Sequence, residues 1–248
     1  MPDWKDKVDM ARLPKHIAVI MDGNGRWAKQ HKKPRVFGHK NGVKAVREIT
    51  EGAAELGIRY LTLYAFSTEN WHRPALEVNA LMMLLVETLN KEVQTLNKNK
   101  IKLQAIGDIN GLPEKTKKVL KKAIHDTKDN DRMTLILALN YSSRWEIKNT
   151  VQKIARKVQN GELLPEQIDH HTIKQQLETS PYPDPELLIR TSGELRISNF
   201  LLYQIAYTEL YFTQKFWPDF DKNDLYKALI DYQGRERRFG KISEQHTS

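Results

Sequence analysis

Cysteine is absent from this 248-residue chain. That excludes disulfides, thiolate metal sites and a cysteine nucleophile, and it suits a cytoplasmic setting. Long apolar runs are absent too. The longest, residues 80–86, is about a third of the roughly 20 residues that a membrane-spanning helix needs. Residues 1–14 alternate in charge and carry no apolar stretch of the signal-peptide kind. No internal repeat or low-complexity segment breaks the sequence. What is present is charge: 40 Lys+Arg against 31 Asp+Glu, a formal net charge of +9. With 40% hydrophobic and 29% charged residues, the composition is that of a globular protein and not a disordered one. The length fits one α/β domain and is ample to bury a core. The basic balance points to an anionic partner: nucleic acid, an acidic membrane surface or a phosphorylated small molecule.

Hydrophobic patterning predicts alternating strands and helices. Residues 17–21 form a short apolar run that stops in an Asp-Gly-Asn-Gly turn, as a buried strand does. Val43, Val46, Ile49, Ala53 and Leu56 recur at helical spacing, and Gly57 closes that helix. Residues 60–66, 101–106, 133–139, 187–190 and 210–212 read as further strands. Val78 to Leu96 marks a long helix, residues 113–128 a helix with a strongly basic face, and Ile147, Val151, Ile154 and Val158 another helix. Strands separated by such helices predict a single α/β domain, residues 1–248, with a mainly parallel central sheet covered by helices on both faces. The proline-rich stretch 180–185 reads as a loop within it.

In parallel α/β sheets, ligands bind beyond the carboxyl ends of the strands. Four polar clusters fall there: DGNGRW at 22–27, STENWHR at 67–73, NYSSRW at 140–145 and RTSGELRIS at 190–198. A strand followed by a Gly-rich turn and a helix start offers free backbone N–H groups to an anion. Arg26, Arg35, His39, Arg73, Arg190 and Arg196 are suited to charge-assisted contacts with phosphate. Residues 23–28 also match the G-x-G-x-x-A dinucleotide fingerprint, which requires an acid about 20 positions on at a second strand end. The acids near that distance, Glu48 and Glu51, fall within a helix instead. Asp22 would repel a bare pyrophosphate, whereas an intervening divalent cation reverses that sign. A metal–diphosphate site is therefore favoured over a nicotinamide site.

The stretches HIAVIMDGNGRWA (16–28), FGH (37–39), LYAFSTENW (63–71), IRTSGE (189–194), RISNFLL (196–202), ELYF (209–212), WPDF (217–220) and RERRFG (235–240) closely resemble the cis-prenyltransferases of the bacterial undecaprenyl diphosphate synthase (isoprenyl transferase) type. The resemblance runs from about residue 14 to 240. It implies a magnesium-dependent enzyme that condenses isopentenyl diphosphate repeatedly onto an allylic diphosphate, usually farnesyl diphosphate. The long cis-polyprenyl product is a lipid-carrier precursor for cell-wall glycan. By that resemblance Asp22 holds Mg2+ and Glu209 is a second metal ligand, reached from the other subunit or near the dimer contact. Gly23, Asn24, Gly25 and Arg26 cradle the allylic diphosphate beside Arg35 and His39. Asn70 is the family's proposed proton acceptor, the leaving diphosphate being the alternative base with Asn70 only orienting it, and Ser67, Thr68, Glu69, Trp71 and Arg73 share its loop. Arg190, Arg196, Ile197 and Ser198 hold isopentenyl diphosphate, and Trp27 is a candidate substrate contact. Leu195 stands where some relatives have histidine. Ser192 and the pair Ser142-Ser143 replace common glycines.

A growing hydrocarbon requires an apolar tunnel. Leu81, Met82, Leu85, Val86 and Leu89, with Leu135, Ile136 and Leu137, are the candidates, and ordinary core packing is the competing reading. The resemblance further implies a homodimer in the cytoplasm, and the lysine-rich face at 115–122 leaves room for weak membrane-surface contact on product release. Nucleic-acid binding is not expected, since the lysines are scattered and no recognition motif is present. A catalytically dead partner subunit is the other alternative. Retention of Asp22, Arg196 and Ser198 argues against it.

Overall fold

Along each strand, successive side chains enter two different cores. Ile17 and Val19 pack into one, Ala18 and Ile20 into the other, as a period of two requires. A computed structural model describes residues 4–236. The motif at 235–240 lies largely outside them. The strands are β1 (His16–Ile20), β2 (Tyr60–Ser67), β3 (Ile101–Ile106), β4 (Met133–Tyr141), β5 (Leu187–Arg190) and β6 (Glu209–Phe212). The helices are α1 (Asn24–Gln30), α2 (Arg35–Leu56), α3 (Ala75–Lys98), α4 (Glu114–Asp126), α5 (Ser143–Gln159), α6 (His170–Gln176) and α7 (Lys222–Gln233). Among the described residues these strands form one six-stranded sheet in the order β3-β4-β2-β1-β5-β6, with every pairing parallel.

Helices α2, α3, α4 and α7 cover one face of the sheet through Ile49, Leu89, Leu120 and Leu229. Trp145 of α5, Tyr182, Ile205 and Phe200 pack on the other. Both faces are covered, as the pattern predicts. Gly57 caps α2 in the left-handed conformation, φ 88°, which glycine adopts without steric cost. One expectation is corrected by the pleat. Leu135 and Leu137 face the α2–α3 side, whereas Ile136 between them points to the opposite core. Val86 is buried within the α3 packing and does not line the cavity described below.

The strand order places the site. From β1 the sheet extends through β2 and β4 to the edge strand β3 on one side, while β5 and β6 lie on the other. The switch point is between β1 and β5, where Ile20 pairs with Arg190. A crevice opens at such a point, and Asp22 and Arg190 stand at its rim.

Candidate active site

The turn after β1 is fixed from several directions. The Asp22 N–H donates to the Thr191 hydroxyl at 2.9 Å, and that hydroxyl donates to the Asp22 carbonyl at 2.6 Å. Gly23 has φ 101°, and a Cβ there would meet Phe216 at 2.7 Å and Ser192 at 2.9 Å. Gly38 of α2 is required by close packing, since its Cβ would fall 1.9 Å from the Asn24 carbonyl oxygen. Within α1 the first bond is Trp27 N–H to Gly23 carbonyl, 2.8 Å, so the N–H groups of Gly25 and Arg26 have no acceptor inside the helix.

The Asp22 carboxylate accepts from Gly23 N–H at 2.6 Å, from Arg190 at 2.9 Å and from Arg26 at 3.1 Å. Burial pushes its pKa up, but the Arg190 bond, the Gly23 bond and the charges of Arg190 and Arg26 outweigh it and hold the carboxyl below its usual range. Arg26 also pairs with Glu194 at 2.8 Å and with the Ser192 hydroxyl, and Glu194 pairs in turn with Arg196. Arg190 donates to Ser198 Oγ at 2.8 Å and to the Arg196 carbonyl. Three arginines thus surround two carboxylates.

A second cluster stands across the opening. Glu77, at the start of α3, accepts from Arg35 at 3.3 Å and from Arg73 at 3.1 Å. His39 lies beside them. Burial first, then the nearby Arg73 charge, hold its pKa down at about 4, so the imidazole is neutral at pH 7. Its Nε2 and the Oδ1 of Asn24 are buried without a partner. Each cluster keeps one positive charge in excess, and both face the same opening.

Below lies a cavity of about 860 Å³. Asp22, Asn24, His39, Arg73, Arg190 and Arg196 line its mouth. Ser67, Glu69, Asn70 and Ser198 complete that rim. Its body is walled by Leu81, Met82, Leu85, Leu89, Leu135 and Leu137, so those six expected apolar residues do meet one space. Ser67 and Asn70 form a capping box at the end of β2, with the Asn70 carbonyl accepting from the Ser67 N–H at 3.2 Å. The Glu69 carboxylate accepts from Asn199 at 2.7 Å, and Thr68 bonds to Glu69 at 3.3 Å.

Several expected residues stand apart from the cavity. Trp27 is buried, stacks on His31 and Phe37, and donates its indole N–H to Asp219 at 2.7 Å. Trp71 donates to Asn140 at 2.7 Å, bracing the loop after β2. Gly23, Gly25, Arg26, Arg35 and Thr68 do not line the cavity themselves, and Ile197 is half-buried in the loop after β5. Glu209 is the most displaced. It pairs with Leu187 at the amino end of β5, opposite the end that carries Asp22, and its carboxylate bonds Arg235 at 2.9 Å. Within one chain it does not meet Asp22, and among the described residues no cluster of three metal-ligating side chains forms.

Other contributors escaped the sequence reading. Glu77 had a signal, its i,i+4 spacing from Arg73 at a helix start. Glu194 lay within a quoted motif but only the structure shows it bridging Arg26 and Arg196. Arg144, at the start of α5, reaches the cavity mouth. Ser192 adopts φ 76° yet supplies a hydroxyl to Arg26, and Ser142 and Ser143 serve as the α5 cap and an acceptor for Leu202 N–H. Each of these serine hydroxyls makes a hydrogen bond that a glycine could not.

The comparisons with known proteins bear on the family and the fold. The prenyltransferase family model described as undecaprenyl diphosphate synthase matches residues 20–240. The isoprenyl transferase of Heliobacterium mobile is 52% identical over 237 residues, covering 96% of this chain and 91% of its own. The (2E,6E)-farnesyl-diphosphate-specific ditrans,polycis-undecaprenyl-diphosphate synthase of Lactiplantibacillus plantarum is 54% identical over 241 residues, covering 96% and 93%. Among solved structures, lavandulyl diphosphate synthase from Lavandula x intermedia, in complex with dimethylallyl diphosphate, superposes with a TM-score of 0.91 at 40% identity, covering 93% of this chain and 100% of that one. With a family match across nearly all of its length and relatives above 50% identity, the chain belongs to the undecaprenyl diphosphate synthase family of cis-prenyltransferases.

Proposed function

We propose that this protein condenses isopentenyl diphosphate repeatedly onto an allylic diphosphate, with farnesyl diphosphate as starter, to make a long cis-polyprenyl diphosphate of the undecaprenyl type. The observation that carries the reading is the joining of two arginine clusters to one apolar cavity. Two diphosphates require several cations in one cleft, and a hydrocarbon product requires an apolar space beyond them. The allylic diphosphate sits over the Gly23–Arg26 turn with Arg35 and His39 beside it. Isopentenyl diphosphate sits on Arg190, Arg196 and Ser198.

The residues present fit a magnesium ion. Mg2+ takes one or two carboxylates and completes its shell with water and substrate phosphates, and Asp22 is an ionised carboxylate at the rim of the diphosphate turn. Asp22 would hold it. Glu209 could join only through a second subunit. When bound, the ion neutralises charge that develops on the leaving diphosphate. Asn70 directs its carbonyl at the Ser67 N–H, so its amide N–H groups are what it offers the cavity. That suits it to orient a diphosphate oxygen or the reacting alkene. The departing diphosphate is then the base that removes the proton.

The reading carries a homodimer and weak contact of the basic α4 face with an anionic membrane at product release. Among the described residues no helix is long and apolar enough to cross a membrane. The test is an incubation of labelled isopentenyl diphosphate with farnesyl diphosphate and Mg2+, with product length read by chromatography. A ladder ending in a long polyprenyl diphosphate is expected. Incorporation stopping after one unit would overturn the repeated condensation.

A further inference from the structure

The cavity is not apolar all round. Thr88, Glu92 and Thr95 of α3 and Asn99 at its C-cap line it, and their spacing of four, three and four residues places them on one helix stripe. Arg47, Thr50 and Glu51 of α2 line it as well. The two helices thus meet along a polar seam beside a space otherwise walled largely by leucines. Arg47 closes that seam. Its Nε donates to Glu92 at 3.2 Å and its Nη2 donates to the other oxygen of the same carboxylate. Thr50, one turn on from Arg47, is buried with its hydroxyl unpartnered. Beyond the seam lies a second recess of about 410 Å³, bordered by Arg47, Glu51, Glu55, Thr95, Lys98 and Asn99. Arg47, Glu51, Thr95 and Asn99 border both spaces, so the seam is the partition between the apolar cavity and a polar recess.

From these observations we infer that the Arg47–Glu92 ion pair is a latch that sets where the growing chain stops. The inference rests on the reading that the cavity holds the hydrocarbon. At about 1.5 Å per helical residue, Arg47 lies ~18 Å along α2 from Arg35, and Glu92 ~22 Å along α3 from Glu77. The pair therefore stands far from the Arg35–Glu77–Arg73 cluster at the mouth, where only a lengthened chain reaches. A hydrocarbon end that arrives there meets a charge pair it cannot solvate, and further growth requires α2 and α3 to part. The Arg47 side chain is 52% exposed and Glu92 17%. A pair that open to solvent is a weak, salt-sensitive tie, suited to hold a helix crossing without locking it.

The test compares product ladders made from labelled isopentenyl diphosphate, farnesyl diphosphate and Mg2+. Glu92→Gln and Arg47→Gln should each extend the longest product by at least one five-carbon unit, with the KM for the starter within about twofold of wild type. The double variant Arg47→Glu/Glu92→Arg, which restores a pair, should return the wild-type ladder. In the wild-type enzyme, raised ionic strength should lengthen the product in the same direction, which keeps the test alive if a single variant fails to fold. Leu137→Trp serves as the control for the cavity itself. A shortened ladder in that variant with unchanged ladders in both single-charge variants and in high salt overturns the latch and leaves the cavity reading standing. Ladders unchanged in all of them overturn both. Lengthening that the charge-swapped pair does not reverse also overturns the latch, because loosening of the helix crossing alone would then account for it.

Discussion

The mouth and the body of the cavity are held by opposite means. At the mouth each of the clustered arginines is held by a group that a diphosphate oxygen can replace or supplement: Arg26 and Arg196 by Glu194, Arg35 and Arg73 by Glu77, Arg190 by Asp22 and Ser198. In the body, Leu81, Leu85, Leu89 and Leu137 are placed by packing alone. The mouth is thus preorganised for charge before substrate arrives, and that is where electrostatic catalysis gains most. The body carries no directional contact that would tie a hydrocarbon in one register, so a chain can slide through it as it grows. The first region should be sensitive to single atoms and the second to volume.

The sharpest break in that contrast is at Asp22. Asp22→Asn keeps the shape of the turn and removes the charge, and turnover should fall by about 10²-fold or more at saturating Mg2+, in a protein that still folds but melts below wild type. Alanine is the poorer choice. The Arg190 side chain is only 4% exposed, and alanine would leave it with neither a counter-charge nor the oxygen that accepts from it, at a cost of about 3 kcal/mol of stability. Turnover near normal in the asparagine variant would remove Asp22 from the chemistry.

Next in size are the arginines. Loss of a charge-assisted bond is worth about 1.5–3 kcal/mol, so Arg196→Ala should raise the KM for isopentenyl diphosphate roughly 10- to 100-fold. The allylic substrate should be affected less. Because the Arg196 side chain is 62% exposed, its melting temperature should hardly move. Arg190→Ala should show the same substrate bias together with a lower melting temperature, since Arg190 also ties Ser198 and the Arg196 carbonyl. Equal losses for both substrates in steady-state kinetics would mean the two diphosphate positions are exchanged.

The smallest effect concerns pH. Burial lowers the pKa of both His16 and His39 from 6.5 to about 4. Between those values the unfolded chain binds protons that the folded chain does not, so stability must fall as pH drops from 6.5 toward 4. The slope contributed by each histidine is at most about 1.4 kcal/mol per pH unit. Denaturant melts across that range should show a shallower slope for His39→Gln than for wild type, and an equal slope would contradict the buried neutral imidazole.

Strand and helix order was legible because both periodicities are strong. Residues 17–21 and 133–139 differ from β1 and β4 only at their ends. The rim was legible because it is continuous in sequence, each cluster following a strand. What stayed hidden depends on direction or distance. Ile136 could not be separated from Leu135 and Leu137 without knowing which face of a doubly covered strand meets α2 and α3. Trp27 sits inside a site motif, yet its indole is taken by Asp219, 192 residues away. The acidic partners Glu77 and Glu194 look like surface charge until the arginines they hold are placed in space. Glu209 sits in a motif as well, but the parallel pairing of β6 with β5 carries it to the far end of the sheet.

The central claim is that charge at the mouth does the chemistry while the space of the cavity, closed at its far end by the Arg47–Glu92 pair, sets product length. Leu137 tests it most directly. Its side chain is 8% exposed and lines the cavity, ~10 Å along β4 from Asn140 at about 3.3 Å per residue. Added bulk in packed apolar space costs roughly 1–3 kcal/mol, a penalty felt only when the chain reaches it. In Leu137→Trp, single-turnover measurement with labelled isopentenyl diphosphate should show the first condensation within about twofold of wild type and a product ladder that ends several units early. An unchanged final length, or an equal loss at every condensation from the first onward, would contradict the account.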